Sequence, residues 1–236
     1  MWPALAIVGL VLTLGAGFLF YACAVPSASI FRPVLSHGPS TDRRIALTFD
    51  DGPSPYTSQI LEILREHKIR ATFFLCGLNV SRFPEIAKQI ATDGHTLGNH
   101  TYSHPALWFR TRDKIAREID LTQAAIEKVV GEKPRLFRPP FGVRWPGLMG
   151  ILQGRQLQMV MWSATGYDWK YDAKNIARSA TRELHPGAIV LLHDGHATRP
   201  VEKVNRAETV KSLPAIIQFA KANGYEFNSV EHFLKN

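Results

Sequence analysis

The sequence predicts an α/β fold on a parallel sheet, preceded by an apolar N-terminal helix. Two observations in the body of the chain predict the sheet. Short, uncharged apolar runs recur from residue 43 onward and read as strands buried on both faces. Between them lie segments whose apolar residues recur at helical spacing. Parallel neighbours need such crossovers, so the alternation implies a parallel sheet, either closed as a barrel or open. The third observation is an apolar run over residues 2–25 that contains no charged residue. About two hundred residues follow it, enough for one domain with a sizeable core.

At about 1.5 Å per residue the run over 2–25 matches roughly 30 Å of hydrocarbon. It lacks the polar residues that a soluble core helix would show at helical spacing. Residues 1–25 are therefore expected to form a transmembrane anchor or uncleaved signal, so that the membrane is a partner. The alternative is secretion after cleavage, since Ala22-Cys23-Ala24 resembles a small-x-small site, although no basic region precedes the run. The first basic residues, Arg32, Arg43 and Arg44, follow the run, which by charge alone favours a cytoplasmic domain. Residues 26–42, with Pro26, Ser27, Ser29, Pro33, Gly38, Pro39 and Ser40, read as a linker. Residues 43–236 read as the catalytic domain.

Within that domain, residues 45–49 predict a buried strand. Ile60, Leu61 and Leu64 predict a helix over 57–67, and a second strand follows at 69–75. Pro84 suits the first turn of a helix over 85–92, ahead of a short strand at 95–99. Ile115, Ile119, Thr122, Ile126 and Val130 line one face of a helix over 112–130, which Gly131 can close. Strands at 136–137, 157–162 and 188–192 alternate with helices at 173–184 and 208–222, and Ser229 caps a last short helix.

Formal net charge is +8. A solvated basic surface accounts for it, and an anionic polymer or acidic headgroups are the sharper alternatives. Lys and Arg are scattered, with no stripe interleaved with aromatics, which argues against nucleic acid. Cys23 lies in the apolar run and Cys76 ends a core strand, so a buried, inert thiol is expected rather than a disulfide. Nothing in the sequence sets an oligomeric state.

Four polar clusters stand at C-terminal ends of predicted strands, the rim where parallel α/β folds build sites. They are Asp50-Asp51-Gly52-Pro53, His100-Thr101-Tyr102-Ser103-His104, Arg138-Pro139-Pro140 and His193-Asp194. Each alone has a local explanation, such as a turn, a surface pair or a cap; four on one rim point to a shared site. Along a strand the two histidines would lie about 13 Å apart, but in one helical turn about 5–6 Å. Two imidazoles and one carboxylate make a catalytic metal set with an open position. Adjacent strand residues face opposite ways, so Asp50 and Asp51 do not flank one glycosidic bond. A turn after Asp50 lets one bind metal while the other faces the attacking water.

Together with Phe141-Gly142, Asp168-Trp169 and Leu191-Leu192 ahead of His193, these motifs resemble the polysaccharide deacetylase family over residues 43–230. The resemblance implies a distorted (β/α)7-type, TIM-like barrel. It implies metal binding by Asp51, His100 and His104, the ion being zinc, with cobalt, nickel or manganese as alternatives. It also implies Asp50 as general base, His193 as general acid, Arg138 holding Asp50 and Asp168 orienting His193. Phe141, Trp169 and Leu191 would bind the substrate, with the Phe141 backbone N–H facing the oxyanion.

The implied reaction removes N-acetyl groups from an N-acetylglucosamine-containing polysaccharide, peptidoglycan or chitin-like, outside the cytoplasm. Alternatives are an O-acetyl xylan esterase with the same site and an inactive carbohydrate-binding pseudoenzyme. The chain departs from the family at Thr165, where an Asp is common. Rim loops 105–112, 142–148 and 195–206 are expected to set substrate choice. His196 and Tyr167 read as surface residues, and His37, His67, His95, His185 and His232 carry no functional expectation.

Overall fold

The computed structural model describes residues 2–25, 28, 34–41, 43–108, 110–145, 147–196, 198–199 and 203–234. Pro26, Ser27, Ser29, Arg32 and Pro33 of the predicted linker lie outside these, as do residues 109, 146, 197 and 200–202 of the rim loops.

The sheet is wholly parallel. Its strands are β1 (Arg44–Asp50), β2 (Thr72–Leu75), β3 (Thr96–Asn99), β4 (Leu136–Phe137), β5 (Gln158–Met159), β6 (Ala164–Thr165), β7 (Ile189–His193) and β8 (Glu226–Phe227). They run in the order β5-β4-β3-β2-β1-β7-β6, and β8 pairs with the start of β1. The helices are α1 (Trp2–Ala24), α2 (Pro55–Glu66), α3 (Gly77–Arg82), α4 (Pro84–Thr92), α5 (Arg112–Val130), α6 (Leu148–Gln153), α7 (Ala173–Arg182) and α8 (Ala207–Ala222). A 3-10 helix over Val230–Leu234 follows β8. This is a curled parallel sheet consistent with a distorted (β/α)-type fold. Residues 34–38, from the segment read as a linker, pair with the chain beside β5 and with the chain ahead of β7. Leu35 pairs in parallel with Val160 beside β5, and His37 pairs antiparallel with Ala188 below β7.

The twofold alternation of strands sorts the core. On β1, Leu47 and Phe49 pack with Ile60, Leu64 and Ile216 beneath the helices. Ala46 faces the other way, into a cluster with Phe74, Leu136, Val160 and Ile189. Asp50 shares that inner face, so the strand delivers its carboxylate into the mouth of the curled sheet.

The expected transmembrane anchor is corrected. The helix α1 forms, and its side chains are described at Ile7 and from Gly9 onward. Ala22 and Cys23 are buried. Arg144 donates its backbone N–H to the Cys23 carbonyl at 2.9 Å and its guanidinium to the Val25 and Ala28 carbonyls, docking this end of the helix on the domain. That end of the helix is therefore packed against protein and is not free for hydrocarbon. Among the described residues no helix is long and apolar enough to cross a membrane. The membrane as partner and the membrane-anchored, outward-facing location rested on that helix and are withdrawn with it.

Candidate metal and active site

The site begins with a backbone reversal. Asp51 takes φ 75°, in the left-handed region, so the chain turns as it leaves β1 and both carboxylates reach one space. Asn79 Nδ2 donates to the Asp51 carbonyl at 2.7 Å and fixes the turn. Gly195 backs it closely, since a Cβ there would meet the Asp51 carbonyl oxygen at 2.4 Å. Thr101, His104, Phe141 and Tyr167 also have positive φ, gathering backbone strain on the same rim.

The histidine segment is a loop rather than the helical turn that its spacing suggested. Left-handed Thr101 and His104 close it, and three donors from one short stretch meet one acid. The Tyr102 and Ser103 N–H groups donate to Glu118 Oε2 at 2.9 and 2.8 Å, and Ser103 Oγ donates to Oε1 at 2.8 Å. Asn99 Oδ1 accepts from the Thr101 N–H at 2.9 Å. The two imidazole centroids end 4.9 Å apart.

Asp51 Oδ1 lies 3.5 Å from His100 Nε2 and 3.2 Å from His104 Nε2. Ligands about 2.05 Å from a tetrahedral ion stand about 3.3 Å apart, so the spacing suits a shared cation. The candidate ligand atoms all lie within 4.8 Å of one another. His100 Nδ1 donates to the Arg138 carbonyl at 2.7 Å, which leaves its Nε2 lone pair facing inward. Burial, aided by the charge of His104, drives the His100 pKa down to about 3 and keeps the ring neutral, as a ligand must be. Asp51 Oδ1 is buried with no hydrogen-bond donor among the described residues, an orphan that a cation would satisfy. The donor set thus fits a divalent ion.

Around this cluster the remaining side chains divide. Arg138 is wholly buried and donates to Asp50 Oδ1 at 2.8 Å, to Thr48 Oγ1 at 2.7 Å and to the Met161 carbonyl at 2.8 Å. Its guanidinium lies 4.1 Å over the Phe74 ring. Burial pushes the Asp50 carboxyl above its ordinary range, against the pull of the Arg138 and His193 charges. On the other side, His193 Nδ1 donates to Asp168 Oδ1 at 2.8 Å. The His193 N–H and Thr209 Oγ1 each donate to Asp168 Oδ2 at 2.8 Å. Burial pulls the His193 imidazole down, yet Asp168 outweighs it and the net shift is upward. Burial likewise opposes ionisation of Asp168, but His193, Arg206 and Thr209 hold its carboxyl below the usual range.

A cavity of about 650 Å³ opens over these groups. Asp50, Asp51, His100, His104, Phe141, Asp168, Trp169, Leu191 and His193 all line it, and Arg138 lies beneath, behind Asp50. The Phe141 ring meets His104 edge-on at 4.6 Å, and Trp169 meets His193 at 5.4 Å. His196, read from sequence as a surface residue, lines the cavity too. Thr165 is buried on β6, and its backbone N–H donates to Glu183 Oε2 at 2.9 Å.

Sequence reasoning missed several neighbours. Glu118 faces the histidine loop from a helix whose apolar stripe explained the rest of it. Buried Arg206 places a guanidinium nitrogen 3.9 Å from Asp51 Oδ2. Asp194 follows His193 in the sequence with no motif to assign it a role. It is buried, accepts from Thr57 Oγ1 at 2.6 Å, and burial raises its pKa to about 7. Cys23 and Cys76 are both buried free thiols.

Comparison with known proteins places this geometry. The family profile "Polysaccharide deacetylase" matches residues 37–162. A peptidoglycan-N-acetylglucosamine deacetylase of Bacillus cereus is 36% identical over 174 residues, covering 72% of this chain and 63% of that protein. The chain thus spans less than two thirds of that relative. The crystal structure of the Bc1960 peptidoglycan N-acetylglucosamine deacetylase is similar at TM-score 0.79 and 33% identity, over 85% of this chain and 92% of that one. A Bacillus anthracis structure described as a pseudoenzyme, BA3943, is similar at TM-score 0.77 and 29% identity, over 86% of this chain and 69% of that one. With more than half its length inside the family profile and the motif residues gathered at one cavity, the chain belongs to the polysaccharide deacetylase family.

Proposed function

We propose that this protein is a metal-dependent deacetylase that removes acetyl groups from N-acetylglucosamine units of a peptidoglycan-type polysaccharide, releasing acetate. The observation that carries the reading is the buried, hydrogen-bond-free Asp51 Oδ1 set 3.5 and 3.2 Å from two imidazole nitrogens. The catalytic unit is residues 43–236.

Asp51, His100 and His104 hold the ion. Two imidazoles and a carboxylate suit zinc, and the same set accepts cobalt, nickel or manganese. When bound, the ion supplies Lewis-acid polarisation of the acetamide carbonyl and lowers the pKa of water. Asp50, anchored by Arg138, accepts the proton of the attacking water. An amine does not leave as an anion, so the nitrogen must be protonated as its bond to carbon breaks. His193, with Asp168 on Nδ1, keeps Nε2 for that donation. Leu191, Trp169 and Phe141 flank the acetyl group, and the Phe141 backbone N–H faces the developing oxyanion.

Acetate release from N-acetylated glycans tests the reading. Activity should vanish with a chelator, return with zinc, and be lost in His104→Ala. Binding of the glycan without acetate release under any metal would identify a pseudoenzyme instead.

A further inference from the structure

The described residues lining the cavity differ in chemistry from side to side. Between β6 and α7 the cavity is lined by Trp169, which is 56% exposed. Behind it Tyr167 meets Trp169 edge-on at 5.4 Å and Tyr171 at 6.2 Å. Flat apolar faces of this kind suit a pyranose ring. Between β7 and α8 the lining is cationic, with Arg199 and Lys203 both exposed at the cavity. Among the described residues neither side chain has a carboxylate partner.

The carboxylates of the same cavity do not answer those charges. Asp50 is held by Arg138, Asp168 by His193, and Asp51 faces the two imidazoles. The sequence over 195–206 carries three cations, Arg199, Lys203 and Arg206, against one acid, Glu202. Arg206 is turned to Asp51, which leaves Arg199 and Lys203 without a carboxylate partner among the described residues, and cations so placed in a cleft focus the field on an incoming anion. A neutral N-acetylglucosamine homopolymer offers them only uncharged oxygens.

Resting on the deacetylase reading, we propose that Arg199 and Lys203 form a carboxylate-binding subsite. The preferred substrate is then an acidic glycan, with a carboxylate on the sugar next to the one that loses its acetyl group. Arg199 presents a planar fork for two-point contact with that carboxylate, and Lys203 adds a mobile point charge.

The test uses the zinc-loaded full chain and peptidoglycan glycan strands stripped of peptide, with their lactyl carboxylates either free or amidated. At low salt the free form should have a KM about tenfold lower at similar kcat, roughly the worth of one charge-assisted hydrogen bond. High salt should shrink that preference. Arg199→Gln with Lys203→Gln should bring the ratio of the two KM values to about one, and Lys203→Arg should keep it. Equal KM for both forms in the unaltered protein, or a preference that survives the double substitution, would overturn the subsite. If neither form releases acetate, the deacetylase reading fails, and titration calorimetry with the two forms still decides the subsite by their Kd ratio.

Discussion

Asp50 and His193 are register partners at the C-terminal ends of β1 and β7, and each is braced from behind by a buried ion of opposite sign. Arg138 holds Asp50 at 2.8 Å and Asp168 holds His193 at 2.8 Å. One ladder thus sets the proposed proton acceptor and the proposed proton donor level with each other. Each brace acts on its own partner, while the His193 charge also pulls on Asp50.

The brace on Asp50 predicts a large stability effect. Arg138→Met would leave the Asp50 carboxylate and the Thr48 and Met161 oxygens without their donor in a buried setting. Removing one partner of a buried pair costs about 3–5 kcal/mol. Denaturant unfolding should show a loss of that size. In Arg138→Lys the charge remains but the fork is gone, so a smaller loss is expected with an acid limb of kcat/KM moved to higher pH. An unchanged acid limb would separate Arg138 from the ionisation of Asp50.

The brace on His193 predicts a change in pH dependence. In its proposed role as proton donor His193 must be protonated, so activity should fall as pH rises through its pKa. Asp168 lifts that pKa above the ordinary value against burial. Asp168→Asn removes the lift and leaves the burial, so the basic limb of the rate profile should move to lower pH by about one unit or more. The stability sign follows from the same shift. The pair's contribution is fully present below the unfolded pKa of about 6.5 and is lost as pH rises through the higher folded value. Titrating unfolding free energy from pH 5 to 9 in both proteins checks it. Parallel curves would show that the pair does not couple to folding.

How much of this was legible in the sequence depended on length and locality. The run ending in Asp50 was readable because several buried residues in a row leave a pattern. β6 and β8 sit in no apolar run of their own and are defined by pairing with β7 and β1. α3 and α6, six residues each, were missed because they are too short to show a helical period. The pairing of His100 with His104 was visible as spacing, but not the left-handed loop that brings their rings together. That loop depends on Glu118, which is distant in sequence and ordinary in composition. The apolar run over 2–25 was plain, yet its docking by Arg144 is a tertiary contact that hydropathy does not carry.

Metal binding should register as stability before it registers as rate. An ion that binds only the folded chain adds about 2.7 kcal/mol at a hundred times its Kd. Metal-stripped protein should therefore gain several degrees in Tm on adding zinc. Comparing cobalt, nickel and manganese would rank the ions. Asp51→Asn should abolish the gain, because the substituted amide brings no anionic ligand. A gain that persists in Asp51→Asn would place the ion elsewhere.

Glu118 gives the most searching prediction, because it touches neither ligand imidazole. Its carboxylate takes three donors from Tyr102 and Ser103, at 2.9, 2.8 and 2.8 Å, and so sets the path of the chain into His104. Glu118→Ala leaves two backbone N–H groups without an acceptor in a half-buried loop, at a cost of about 1–3 kcal/mol. The ligand it positions should then drift, and groups that orient metal ligands typically contribute about 10–100-fold in affinity. Competition against a fluorescent chelator should show that weakening. At saturating metal kcat should recover most of its value, since Asp50 and His193, the proposed acceptor and donor, hang on β1 and β7. Glu118→Gln keeps an acceptor oxygen and should fall between the two. Full metal affinity in Glu118→Ala would mean that left-handed Thr101 and His104 hold the loop unaided.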